Sequence, residues 1–229
     1  MGGQACVLYG AAEFSRDIDL AILAGPANLS RLRAALAELR ADVIAVPPFE
    51  LKYLRKGHAI HFRCQAPEVS GLRIDVMTKM RGVDDFSKLW RRRETFRADD
   101  GTPYHLMSLP DLVSAKKTQR DKDWPMIRRL IETDYFAHPE QPRTRHLRFW
   151  LLELRTPEIL IEVALAHSAL CQNLTKSRPL LEFAASGNET ALIRALLDEE
   201  RSEREADRRY WAPLKAQLEQ LRHARLGAK

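Results

Sequence analysis

The feature that most constrains the fold is a change in the spacing of apolar residues at Ser108. Before Ser108, short apolar runs bounded by glycine and proline alternate with short helical patterns. After it, apolar residues recur at helical spacing along most of the remaining chain. This order is typical of an α+β protein. We therefore predict a mixed β-sheet core with helices on one side in residues 1–108, and a helical domain in residues 109–229.

Turn and capping residues place the elements more closely. Strands are predicted at 18–23, 43–46, 59–64, 72–77 and 104–107. The strands at 59–64 and 72–77 should pair, because the turn Pro67–Gly71 lies between them. Short helices are predicted at 4–9 and 86–93, and one through Leu39 that starts at Asn28 or Ser30. Ser108 should cap the first helix of the second half, and Asp123 should cap the next.

Composition excludes several classes of protein. No apolar run approaches the roughly 20 residues that cross a bilayer, and the first residues lack the basic segment of a signal peptide. We therefore expect a cytoplasmic protein without a membrane partner. The chain has neither a Gly-x-Ser-x-Gly nucleophile motif nor a phosphate-binding P-loop motif.

The net charge of +6 is concentrated in two segments. The first carries five basic residues against Glu94: Lys88, Arg91, Arg92, Arg93 and Arg97. The second carries six basic residues against Asp121 and Asp123: Lys116, Lys117, Arg120, Lys122, Arg128 and Arg129. Such clusters favour phosphate-rich partners, although each alone is equally consistent with a solvated helix face.

Three aspartates are the candidate chemical site. Asp17 and Asp19 begin a strand and, being two residues apart, should point to the same face. Asp75 stands alone in the apolar run Leu72–Met77, where a buried carboxylate needs a partner. If the two strands are neighbours, the carboxylates converge, and such oxygen ligands select Mg²⁺ or Mn²⁺. The alternative is that the three aspartates form no site: Asp17 and Asp19 would be surface or capping residues, and Asp75 would pair with Arg73 or Arg63.

Gly2 and Gly3 precede the short helix that returns the chain to Asp17. Glycines at this point permit close approach of the backbone to a ligand, and a helix N-terminus offers N–H groups to a phosphate. The two glycines therefore join the aspartates as candidate site residues.

These motifs together resemble the nucleotidyltransferase superfamily of the DNA polymerase β type, and in particular its bacterial AbiEii-like and MenT-like branch. The likeness is carried by Gly2-Gly3, a short helix ending at Gly10, and Ser15 two residues before Asp17-Ile18-Asp19. It covers residues 2–23 closely and residues 72–77 by pattern. The basic segment 112–127 is also similar to a helix pair of that branch.

The resemblance implies roles for individual residues. Asp17, Asp19 and Asp75 would be the catalytic residues and would bind Mg²⁺ or Mn²⁺, and Asp75 would help to deprotonate the acceptor hydroxyl. The nucleoside triphosphate, ATP among the candidates, would be bound by a further set: Gly2, Gly3, Ser15, Arg16 and Lys116. Lys117 takes the place of Lys116 if the register differs by one.

The sequence departs from that pattern at two points. Glu13 stands where relatives often carry a basic residue, and Arg16 would substitute for it. Relatives also have a hydrophobic strand immediately before the two glycines, whereas here Met1 precedes Gly2. The first strand of the core is therefore expected upstream of Met1, or it is missing and activity is lost with it.

The expected function is transfer of a nucleotide from a nucleoside triphosphate to an acceptor hydroxyl. RNA such as tRNA is favoured as acceptor over a small molecule of the aminoglycoside type, because the basic clusters suit a polyanion. A catalytically inactive nucleotide- or RNA-binding module with the same fold is the main alternative. The family likeness also implies a cognate antitoxin as a partner.

Overall fold

The computed structural model describes residues 1–140 and 142–227. It divides into two compact units. The first comprises residues 1–115 with the segment from residue 209 onward, and the second comprises residues 116–208. The predicted mixed α+β class is confirmed, and the described part of the chain contains no strand after β6 (Pro103–Leu106). The domain boundary at residue 108 stays a prediction.

The first unit is built around a mixed sheet of four strands. The strands are β1 (Asp17–Ala21), β2 (Asp42–Val43), β3 (Ile60–Arg63) and β4 (Arg73–Met77). Their order across the sheet is β1-β4-β3-β2. β1 and β4 are parallel, whereas β3 is antiparallel to both of its neighbours. This arrangement places the two strands that carry the predicted site side by side.

One face of this sheet is apolar because of how the strands alternate. Ile18, Ile74 and Phe62 form one row across β1, β4 and β3, and Leu20, Val76 and Ile60 form the next. Leu29 and Leu36 of α2 (Pro26–Glu38) and Leu54 of α3 (Leu51–Lys56) belong to the same buried cluster. Burying each such side chain stabilises the fold by about 1.5–3 kcal/mol. The opposite face is thereby left to the polar residues of the same strands.

The first unit contains further elements. They are α1 (Gly2–Leu8), α4 (Phe86–Arg92), the hairpin β5 (Glu94–Arg97) with β6, α5 (Leu109–Lys116) as far as Ala115, and the later part of α11 (Glu189–Gly227). The later part of α11 contacts this unit through Gln217, whose Oε1 lies 2.7 Å from Nε2 of the buried His58.

The second unit is helical. Its helices are α6 (Asp123–Ala137), α7 (Thr144–Glu153), α8 (Pro157–Ala166), α9 (Ser168–Leu174), α10 (Leu181–Ala185) and the first part of α11. Trp150, Leu151 and Leu160 are fully buried and mark its core. No helix in the described residues has both the length and the apolar character that a membrane span requires.

Several predicted boundaries are wrong for local reasons. α2 begins at Pro26, with Gly25 at the N-cap position, because proline is well suited to a first helical turn. Asn28 instead donates to the Leu23 carbonyl (3.0 Å). Asp123 is the first residue of α6 rather than its cap, and its carboxylate accepts from Thr118 Oγ1 at 2.6 Å.

Candidate functional site

The polar face of the sheet carries two adjacent rows of charged and histidine side chains. One row consists of Asp17, Arg73 and Arg63 on β1, β4 and β3, and the next consists of Asp19, Asp75 and His61. Residues paired in register project to the same face of a sheet. The strand pairing thus brings the three predicted carboxylates to two adjacent strands, together with two arginines and a histidine.

Asp75 is buried and fully engaged. Arg73 donates from Nε to one carboxylate oxygen (2.8 Å) and from Nη2 to the other (2.9 Å). Nδ1 of His61 lies 2.8 Å from the first oxygen. Burial works to raise the pKa of Asp75, but the hydrogen bonds of His61 and Arg73 outweigh it and hold the pKa below its ordinary value. Asp75 is therefore a stable anion.

Arg73 is the centre of charge on this face. Its hydrogen bonds to Asp75 raise its pKa, and the negative charges of Asp17 and Asp19 act in the same direction. One guanidinium therefore lies in the field of three carboxylates. Asp17 and Asp19 are half-buried, so their charges are only partly screened by solvent.

Gly2 lies against Asp19 more closely than any other residue type would allow. Its φ is +65°, and a Cβ built there would lie 1.8 Å from Oδ2 of Asp19. The N–H of Gly3 points to the same oxygen (3.4 Å), and the backbone nitrogen of Met1 donates to the Asp19 carbonyl (2.8 Å). The glycine backbone and the second aspartate of β1 are thus in direct contact.

Gly3 and Ser15 form the second contact of this loop. A Cβ at Gly3 would lie 2.3 Å from Oγ of Ser15. Ser15 donates to the Asp17 carbonyl (3.0 Å), and Gln4 donates to the Ser15 carbonyl (3.1 Å). The start of α1 is therefore fixed against the turn that enters β1.

Arg16 and Phe14 lie on the exposed side of the same turn. The guanidinium carbon of Arg16 is 6.0 Å from the centre of the Phe14 ring, and that ring is 69% exposed. Arg16 is exposed as well and belongs to neither row of the polar face. Its predicted contact with a nucleotide stays a prediction.

The two candidate lysines have carboxylate partners. Nζ of Lys116 lies 3.5 Å from Oδ1 of the buried Asp123, and Nζ of Lys117 lies 2.7 Å from Oε2 of Glu153. Both lysines belong to the second unit. Their role in nucleotide binding stays a prediction.

The donor set suits a hard cation only in part. Asp17 and Asp19 are carboxylates on one face of one strand, which is the chemistry that Mg²⁺ and Mn²⁺ prefer. Asp75 does not fit as a third ligand while Arg73 holds both of its oxygens. Among the described residues, no three His, Cys, Asp or Glu side chains are grouped so as to hold a metal ion.

His61 is a site residue that the sequence did not predict. Its place beside Asp75 depends on the register of β3 and β4 across the turn Pro67–Gly71. The ion pair of Asp75 with Arg73, in contrast, was foreseen as an alternative, because residues two apart on a strand share a face.

Comparisons of the chain with protein-family models, with curated proteins and with solved structures found no match.

Proposed function

We propose that this protein is a metal-dependent nucleotidyltransferase that moves a nucleotide from a nucleoside triphosphate to an acceptor hydroxyl. The observation that carries the proposal is the parallel pairing of β1 with β4, which puts Asp17 and Asp19 beside Asp75 on the face that α2 and α3 leave uncovered. The packing of Gly2 on Asp19 supports it, because it fixes the start of α1 directly beside the second aspartate of β1.

Asp17 and Asp19 would hold Mg²⁺ or Mn²⁺, which neutralises phosphate charge when bound. Gly2, Gly3 and Ser15 would line the place of the phosphates. Arg73 is already charged and oriented by Asp75, so it would stabilise negative charge that develops on a transferring phosphate. Asp75 would act mainly by positioning Arg73 and His61, since its lowered pKa makes it a weak proton acceptor.

RNA is the favoured acceptor. A chain of net charge +6 attracts a polyanion, whereas polycationic aminoglycosides require an acidic cleft. The second candidate function is a nucleotide- or RNA-binding module without catalysis. The engagement of Asp75 by Arg73 and His61 favours that alternative, because it removes one carboxylate from the expected ligand set.

The test is incubation with each of the four α-labelled nucleoside triphosphates, Mg²⁺ or Mn²⁺, and total RNA or tRNA. We expect label to enter RNA, and Asp17→Asn to reduce transfer by about a hundredfold or more, as loss of a key charge in an active site does. Asp42→Asn is the matched control, because Asp42 occupies the same row at the opposite edge of the sheet.

Equal transfer by the Asp17→Asn variant and the parent would refute the assignment of the site. Absence of transfer to any acceptor, with metal-dependent nucleotide binding retained, would establish the non-catalytic module instead.

A further inference from the structure

Transfer of a nucleotide to a hydroxyl requires a group that accepts the hydroxyl proton. Asp75 is a poor candidate because, despite its burial, the hydrogen bonds of His61 and Arg73 hold its pKa below the ordinary value. Asp17 and Asp19 would hold the cation. An arginine does not give up its proton, so the two rows of the polar face leave His61 for this step.

The contacts of His61 decide which of its ring nitrogens carries the proton. Nδ1 lies 2.8 Å from a carboxylate oxygen of Asp75 and 3.1 Å from Nη2 of Arg73. A protonated Nδ1 donates to the carboxylate, whereas a bare Nδ1 would direct its lone pair at an anion. Because the contact with the anion is the shorter one, the geometry puts the proton on Nδ1. In the neutral ring the lone pair is then on Nε2.

Nε2 of His61 is open to solvent. The side chain is 28% exposed, and in the described part of the chain its printed contacts all involve Nδ1 rather than Nε2. Nδ1 of His58 and Nδ1 of His146 are buried without a partner, but Nε2 of His61 is not among such buried atoms. Its lone pair is therefore available to a hydroxyl group of a bound molecule.

The spacing of the strands places His61 at a suitable distance from the aspartates of β1. Asp19, Asp75 and His61 are paired in one row across three neighbouring strands. Neighbouring strands lie about 4.8 Å apart, so the backbones of Asp19 and His61 are about 10 Å apart. A general base must come within about 3 Å of the hydroxyl oxygen. The row thus has room for a phosphoryl group beside Asp19 and a hydroxyl beside His61.

We propose that His61 is the general base of nucleotide transfer and that Asp75 is its positioning residue. Nε2 takes the hydroxyl proton while the hydroxyl oxygen forms a bond to the α-phosphorus. The bond from that phosphorus to the bridging oxygen of the β-phosphate breaks, and pyrophosphate leaves with the electron pair. The proton then passes from Nε2 to water. The role as base rests on the proposed function, whereas the position of the proton on the ring does not.

The first measurement is the rate of transfer by His61→Ala, with and without imidazole in the buffer. We expect a fall of about a hundredfold or more, as the loss of a general base causes. Affinity for the nucleotide should stay close to that of the parent, because the base acts only in the transition state. Imidazole should restore part of the rate, since the truncated side chain leaves space for a free base on an exposed side.

His61→Gln is the companion variant. Glutamine fills the space and accepts no proton, so transfer should be as slow as in His61→Ala but should not respond to imidazole. Thermal unfolding shows whether each variant keeps the fold. If His61→Ala does not fold, the loss of transfer in folded His61→Gln is the criterion.

His138→Ala is the matched control. Nδ1 of His138 also lies near an aspartate, 3.7 Å from Oδ1 of Asp134, and the side chain is 40% exposed. It belongs to the second unit and to neither row of the polar face. We expect transfer at the parent rate and no effect of imidazole.

The position of the proton is measured without any nucleotide. Two-bond proton–nitrogen correlation spectra distinguish a protonated ring nitrogen from a bare one, and the signals of His61 are those missing from His61→Gln. In the neutral ring we expect the proton on Nδ1 and a bare Nε2.

Two results would overturn the proposal. One is a bare Nδ1 in the parent, whatever the rate of transfer, and the other is transfer at the parent rate by the folded His61→Gln variant. If the parent transfers label to no acceptor, the proposed function fails and the role as base fails with it. The spectrum still decides the position of the proton in that case, so the two failures are distinguishable.

Discussion

In both units a carboxylate is held by two partners, but its surroundings differ. In the second unit, Glu199 pairs with Arg155 at 2.7 Å and with Arg178 at 2.9 Å. Arg178 also donates to the carbonyls of Leu151 (2.9 Å) and Leu154 (3.0 Å). In the first unit, Asp75 likewise has two partners, but two further carboxylates share its sheet face.

The difference separates a structural cluster from a candidate site. Around Glu199 the donors are matched by acceptors of the protein itself, and Arg178 is only 3% exposed. On the sheet face, the strand pairing puts Asp17, Asp19 and Asp75 beside Arg73, Arg63 and His61, and Asp75 alone holds two hydrogen bonds of Arg73. Like charges held together cost free energy unless a ligand compensates them. Groups of like-charged side chains that oppose folding in this way are expected at sites where a protein binds a ligand.

The largest expected effect is the loss of stability when the cluster of Glu199, Arg155 and Arg178 is broken. Arg178→Met should lower the free energy of unfolding of the protein by about 2–3 kcal/mol, because it removes one of the two cationic partners of the half-buried Glu199. Two backbone carbonyls would lose their donors in addition. Urea unfolding followed by circular dichroism measures the change.

Arg201→Met is the control for that experiment. Arg201 pairs with Asp198 on α11, but the two side chains are 80% and 59% exposed. An exposed pair of this kind contributes about 0–1 kcal/mol. If the two variants are destabilised equally, burial does not distinguish the cluster from an ordinary surface pair.

Substitution of Gly2 should have a smaller effect on stability. It should also act directly on the candidate site. Gly2→Ala places a methyl group where Oδ2 of Asp19 lies and requires a left-handed backbone at a residue with Cβ. The backbone alone costs about 1–2 kcal/mol. Because Asp19 must move, we expect nucleotide transfer to fall at least about tenfold, since small displacements in a site are costly.

Gly25→Ala is the matched control for Gly2→Ala. Gly25 has a φ of −133°, and nothing lies within 4 Å of a Cβ built there. Both transfer and stability should stay close to those of the parent, apart from a small loss at the N-cap of α2. Normal transfer by Gly2→Ala would show that contact with Asp19 is not needed for the reaction.

The sequence predicted those parts of the fold that depend on neighbouring residues. Ser108 caps α5 as expected: its Oγ accepts from the Asp111 N–H at 3.4 Å. The strand β5 was missed because all four of its residues are exposed, so no alternation marks it. The helix α3 was missed because its six residues, Leu51–Lys56, are too few to establish a helical period.

In the candidate site, too, the features that depend on nearby residues were predictable from the sequence, and those that depend on strand pairing were not. The common face of Asp17 and Asp19 follows from their spacing alone, and the strand of Asp75 was identified by its apolar neighbours. The position of His61 was not predictable, because it depends on the register of two strands. The pairing of Lys116 with Asp123 was not predictable either. The sequence predicted that Asp123 caps a helix, whereas its carboxylate contacts Lys116 and Thr118, which precede it in the chain.

The smallest expected effect is a dependence of stability on pH that both carboxylates share. Burial works to raise the pKa of Glu199 and of Asp75, but their hydrogen-bonded partners outweigh it and lower both below the ordinary values of 4.5 and 3.8. A lowered pKa in the folded state gives stability that is complete above the ordinary value and is lost as pH falls through the folded value.

Acidification from about pH 7 to about pH 3 should therefore lower the free energy of unfolding of the parent, and the complete loss, reached below the folded pKa values, is about 1.4 kcal/mol for each unit of pKa lowering. Glu199→Gln and Asp75→Asn should each flatten this dependence, and the first should act at the higher pH because glutamate titrates higher. Urea unfolding at a series of pH values measures the slopes. If Asp75→Asn leaves the slope of the parent unchanged, Arg73 and His61 do not stabilise the anion, and Asp75 is free to serve as a ligand.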